Sequence, residues 1–80
     1  MEKSVTSEDY KVLLACLKEA REGAGLTQAD VAERLDMSQS QVSKCERGER
    51  RLDVIELREW CAALGVGFPA FIRVLERALK

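Results

Sequence analysis

This 80-residue chain has no histidine, a single proline and no long uncharged apolar run. Without histidine, the side chain that most often serves as a base near neutral pH is missing. No carboxylate–nucleophile pairing stands at a suggestive spacing in its place. The same absence, with no Cys-x-x-Cys spacing among the three cysteines, argues against a zinc site. No stretch is long and apolar enough to span a bilayer, and the opening MEKSVTSEDY lacks the apolar core of a signal peptide. A chain this short also leaves little room for a concave pocket. The expectation is a cytoplasmic, non-enzymatic protein with no cofactor, no metal, no membrane association and no evident small-molecule ligand.

What is present is ordinary for a globular chain: 46% hydrophobic and 34% charged residues. Residues 1–80 read as a single domain, burying about 60% of its unfolded surface. Cys16, Cys45 and Cys61 cannot all pair with one another, and each falls on an apolar helix face. They read as reduced, buried thiols. A redox sensor is the alternative, although no neighbouring basic residue stands out as an activator. The net charge of −1 is unevenly spread. Residues 38–51 carry Lys44, Arg47, Arg50 and Arg51 against Glu46 and Glu49, a net of +2, which leaves −3 elsewhere.

The apolar periodicity predicts five helices and no strand, an all-α architecture. Thr6, with Asp9 three residues on, predicts the start of a helix running to about Glu22, with Tyr10, Leu13, Leu14, Leu17 and Ala20 on its apolar face. Thr27 caps a helix over Gln28–Leu35 whose inner face is Val31, Ala32 and Leu35. Asp36 and Met37 turn the chain. Ser38 caps a third helix over Gln39–Arg47, which Gly48 stops. Asp53 opens a fourth with Glu56 as capping-box partner and Leu52 stapling onto Leu57. That helix is expected to bury Val54, Leu57, Cys61 and Leu64, with Trp60 at the edge, and to end at Gly65. Pro69 suits the first turn of a fifth helix, with Phe71, Ile72, Val74, Leu75, Ala78 and Leu79 along one side.

At about 100° per residue the third helix divides into two faces. Val42 and Cys45 lie on one; Gln39, Ser40, Ser43, Lys44 and Arg47 lie on the other. The second face carries side chains that can hydrogen-bond to base edges in a major groove. A solvated polar face on a surface helix is the plain alternative. Ala32, small and inward, lets another helix cross closely. Gln28, in the first turn of its helix, stands where an amide and free backbone N–H groups can hold a phosphate oxygen.

The segments LKEAREGAGLTQADVAERL, SQSQVSKCERG and ELREWCAALGV, from about Leu13 to Val66, resemble the helix-turn-helix of the lambda repressor and Cro family, also called the Xre family. The resemblance implies a compact five-helix lambda-repressor-like domain with its helix-turn-helix motif at about 27–47. It also implies sequence-specific DNA binding as a transcriptional regulator, with repression the expected effect. Gln39, Ser40, Ser43 and Lys44 then fall at base-reading positions. Thr27, Gln28, Ser38, Arg47, Arg50 and Arg51 fall where phosphates are met. Arg21 and Glu46 match an internal ion pair. The implied partner is double-stranded DNA carrying a palindromic operator, bound by a homodimer. The apolar stripe of the fifth helix is wider than a surface helix needs for its own core, and Ile55 falls off the main stripe of the fourth. This places a self-association surface near Ile55, Phe68 and Phe71; the plain alternative is that these residues close the core. Asp36 departs from the usual glycine, and Cys45 replaces a larger apolar residue. The acidic balance implies weak nonspecific DNA binding, and it is the best support for the alternative: the same fold as an adaptor, antitoxin-like neutraliser or anti-regulator.

Overall fold

The positions where side-chain oxygens can accept a helix's first free N–H groups mark where four of the five helices begin. A computed structural model describes residues 7–80. In it the helices are α1 (Glu8–Gly23), α2 (Gln28–Leu35), α3 (Gln39–Glu46), α4 (Val54–Leu64) and α5 (Phe68–Ala78), with no strand among the described residues. Thr27, Ser38 and Asp53 each close a reciprocal capping box, with Asp30, Gln41 and Glu56 respectively. Thr6 lies outside the described residues. Within them Ser7 caps α1, its Oγ accepting from the Tyr10 N–H at 3.3 Å. At its C-terminal end α3 stops one residue earlier than expected, with Arg47 as the cap.

Four helix ends share one device. A left-handed residue at Gly25, Asp36, Gly48 and Gly65 turns the chain, and the next N–H bonds the carbonyl five residues back. The pairs are Leu26 to Arg21, Met37 to Ala32, Glu49 to Lys44 and Val66 to Cys61, all between 2.9 and 3.1 Å. Asp36, which stands in place of the usual glycine, adopts the left-handed φ 57° and ψ 47°, so the turn is made with a carboxylate side chain in it.

The core gathers where the helices converge. Leu17, Val31, Val42, Cys45 and Cys61 are fully buried, joined by Leu57, Trp60, Leu64 and Phe71. α2 packs on α3 and α4, α1 on α3 and α5, and α4 on α5. Ala32, 5% exposed, sits in the middle of this convergence.

α4 presents a different face from the one expected. Trp60 is buried and Val54 is 62% exposed. On a helical wheel the buried set Leu57, Cys61, Leu64, Trp60 and Ala63 is centred about 90° from Val54, because α4 is covered on the Trp60 side. α5 likewise buries less than its apolar stripe promised. Phe71 alone is fully covered, Leu75 and Phe68 are half-buried, and Ile72, Val74, Ala78 and Leu79 remain exposed. A helix packed along one seam covers only the centre of a wide stripe.

Candidate nucleic-acid interface

α3 stands out from the body because its inner face is short: Val42 and Cys45 are buried, and its other side chains reach solvent or its edges. Gln39, Ser40 and Lys44 are exposed on its outer face and make no side-chain hydrogen bond or ion pair among the described residues. Ser43 is half-buried beside them, its Oγ accepting from Arg47 Nη1. Ser38 is exposed at the helix start, its Oγ accepting from the Gln41 N–H at 3.1 Å.

The far end of α3 is tied down by a buried polar cluster. Arg21 Nε donates to Glu46 Oε2 at 2.7 Å, and Nη2 to Oε1 at 3.2 Å. Arg21 Nη1 also donates to the Leu26 carbonyl at 3.0 Å. Gln28 Nε2 donates to Glu46 Oε1 at 2.9 Å, which joins the start of α2 to the end of α3. Three segments thus meet at one carboxylate. The amide expected to reach a phosphate is held by Glu46, leaving one N–H and the amide oxygen of Gln28 for other partners. Thr27, exposed, spends its hydroxyl oxygen on the Asp30 N–H. The Thr27 N–H and hydroxyl hold the Asp30 carboxyl below the usual carboxylate range.

The three arginines after α3 are all exposed, and each has a partner within the chain. Arg47 pairs with Glu49, Nε to Oε2 at 2.8 Å. Arg50 pairs with Glu56, whose other oxygen accepts the Asp53 N–H at 3.0 Å. Arg51 lies over the Tyr10 ring, 4.5 Å from its centre. The Tyr10 hydroxyl in turn accepts the Leu52 N–H at 2.9 Å, so α1 also fixes the loop. The Arg47 and Arg50 hydrogen bonds draw the Glu49 and Glu56 carboxyls down from their usual range. Sequence spacing could not reveal these pairings, because flexible cations among several acids have many equivalent choices.

A helix-turn-helix family model matches residues 17–71. An XRE-family like protein from Pseudomonas syringae pv. tomato str. DC3000 shares 46% identity over 90% of this chain and 88% of its own, with a TM-score of 0.83. The chain belongs to the XRE family of helix-turn-helix proteins. Two further solved structures share the fold. The restriction-modification controller protein C.Esp1396I, solved as a tetramer in complex with its natural 35 base-pair operator, is 27% identical over 92% of this chain and 99% of its own, TM-score 0.83. The clp gene regulator ClgR from C. glutamicum is 26% identical over 88% and 90%, TM-score 0.75. Nothing among the curated proteins matches the chain.

For an XRE protein the frame contains one link that sequence reading missed. Arg34 Nη1 donates to the Ala63 carbonyl at 2.7 Å, bracing α2 against the C-terminal end of α4, where a cation is favoured. Of the expected self-association residues, Ile55 is 62% exposed and Phe68 half-buried, but Phe71 is 4% exposed and belongs to the core. Exposed Ile72, Val74 and Leu79 add apolar surface assigned by periodicity to the core.

The three thiols are buried and free, and burial pushes each of them up in pKa, which keeps them protonated. Among the described residues no three metal-binding side chains come together, and no helix is long and apolar enough to cross a membrane. The surface is more hollowed than the chain length suggested. An open groove of about 580 Å³ lies between α2 and α4, lined by Arg34, Leu35, Glu59, Ala62 and Ala63.

Proposed function

We propose that this XRE-family chain is a DNA-binding transcription regulator that inserts α3 into the major groove and acts as a repressor by occupying its operator. The observation that carries the reading is the contrast within α3. Its inner residues and Glu46 are fixed by the body, whereas Gln39, Ser40 and Lys44 stand exposed with no hydrogen-bond or ion-pair partner among the described residues. Gln39 suits adenine, Ser40 several bases, and Lys44 guanine or a phosphate. Ser43 reads at the margin once released from Arg47. Phosphates would be met by Thr27, Gln28, Ser38, Arg47, Arg50 and Arg51, which supply affinity and register rather than sequence choice.

A homodimer would present two α3 helices to half-sites about one helical turn apart, which favours a palindromic operator. The controller protein solved as a tetramer on its operator is in keeping with assembly on DNA. Ile55 and Phe68 are the self-association residues this reading retains, with exposed Ile72 and Leu79 as additions. The absence of a helix able to cross a membrane among the described residues accords with a regulator in the cytoplasm. Repression by occupancy needs no catalytic group and no cofactor.

The test is selection of bound duplexes from a random pool at low salt, followed by titration of the enriched duplex with salt. A motif with two related half-sites, and binding that weakens steeply with salt, is the expected result. The pairing of Arg47 and Arg50 with acids favours a second reading, a protein-interaction module of the same fold. A pool that enriches no motif decides for that module.

A further inference from the structure

Arg47 closes α3 one turn beyond Ser43 and Lys44, and its guanidinium is engaged on every side. Nε and Nη2 meet the two Glu49 carboxylate oxygens at 2.8 and 3.3 Å, while Nη1 meets Ser43 Oγ. Glu49 is held in position by the end of α3, its N–H bonded to the Lys44 carbonyl at 2.9 Å across left-handed Gly48. At the three other helix ends of this kind, the equivalent residue is apolar and packs against the core: Leu26, Met37 and Val66. Glu49 alone carries a charge there, with 54% of its side chain exposed. A packing position has become the seat of an anion aimed at a cation beside the reading face.

We infer that Glu49 is a specificity-determining residue, which withholds Arg47 from random DNA and releases it in the seated complex. The inference rests on the DNA-binding reading above. A loosely held duplex responds to summed charge, and at distances approaching the screening length of about 10 Å the adjacent Arg47 and Glu49 nearly cancel. Sequence-independent attraction, which depends on phosphate neutralisation, is trimmed accordingly. A duplex with α3 seated in its groove brings a phosphate into contact range of Arg47. An exposed ion pair is weak enough to yield to it. Yielding also frees Ser43 Oγ for a base edge, an exchange open only to the seated complex.

The experiment compares full-length wild type, Glu49→Gln, Arg47→Ala and the double variant on two probes, a random-sequence duplex and a duplex enriched from a random pool. Glu49→Gln is expected to tighten random-duplex binding by about five-fold at about 50 mM salt and to steepen the log–log salt slope by about one. Affinity for the enriched duplex should change by less than about two-fold, so discrimination falls. In the Arg47→Ala background, Glu49→Gln should give a much smaller gain on the random duplex. Random-duplex binding unchanged in affinity and slope overturns the inference, as does an equal gain in both backgrounds or on both probes. If wild type binds neither duplex in a salt-dependent manner, the DNA-binding reading falls and takes this inference with it. If wild type binds and Glu49→Gln changes nothing, only the inference falls.

Discussion

Arg21 and Glu46, 25 residues apart in sequence, meet in a two-point ion pair of 2.7 and 3.2 Å with only 10% and 6% of their side chains exposed. The geometry is strong because both Glu46 oxygens are engaged by Arg21, and Gln28 adds a second donor to Oε1. Removing one partner strands the other charge where water cannot solvate it. Arg21→Ala or Glu46→Ala should therefore cost about 3–5 kcal/mol, read from urea unfolding. Replacing both with apolar residues of similar volume should cost much less than either single change. A single-site loss below about 1 kcal/mol would show the pair to be dispensable.

Asp36 is the only non-glycine among the described residues with a positive φ. A left-handed L-residue carries strain of about 1–2 kcal/mol, and the Asp36 carboxylate makes no hydrogen bond among the described residues that would offset it. Asp36→Gly should raise stability by about 0.5–1 kcal/mol and the melting temperature by several degrees. Asp36→Val, branched at Cβ, should do the opposite. A glycine variant that melts lower than wild type contradicts the strain argument.

Lys44 and Arg50 separate reading from holding. Lys44→Ala should shift base preference at one operator position by about 1–3 kcal/mol with the melting temperature unchanged, since Lys44 has no partner among the described residues to lose. Arg50→Ala should weaken all duplexes alike and also lower the melting temperature, because Arg50 ties the loop to the Glu56 carboxylate of the α4 capping box. Selection with each variant, alongside thermal unfolding, checks both. An unchanged motif for Lys44→Ala removes Lys44 from the reading set.

Stability should respond to acid through Glu56. Its carboxyl is held below the usual range first by Arg50 and then by the Asp53 N–H. The folded state therefore releases this proton more readily than the unfolded chain. The contribution is fully present above the unfolded value of about 4.3 and is lost as pH falls through the lower folded one. Wild type should lose more stability between about pH 6 and pH 3 than Glu56→Gln does, measured by denaturant midpoints. Equal losses would place the acid sensitivity elsewhere.

What the sequence disclosed follows the range of the forces involved. The caps at Thr27, Ser38 and Asp53 act within three residues, so their side-chain chemistry can be read directly, and the turn at Asp36 is equally local. The polar face of α3 follows from helical spacing alone. Trp60 and Val54 exchanged places because a helical wheel orders residues around an axis but does not say which neighbours cover it. Arg34 meeting the Ala63 carbonyl, 29 residues away, depends on the placement of two helices and leaves no trace in local pattern. Phe71 was assigned to a surface because α5 has more apolar residues than its seam can cover, and periodicity cannot say which stay outside.

The Gln39, Ser40 and Lys44 side chains share no hydrogen bond with the cluster of Arg21, Gln28 and Glu46 that anchors α3. On the proposed reading of α3, target choice and structural integrity are therefore independent variables in this chain. Those three positions can be rewritten without disturbing the anchor, so a lineage can wander between operators while every intermediate stays folded. The Arg21–Glu46 pair within the anchor, by contrast, cannot drift one residue at a time, since losing either partner leaves a buried charge unmatched.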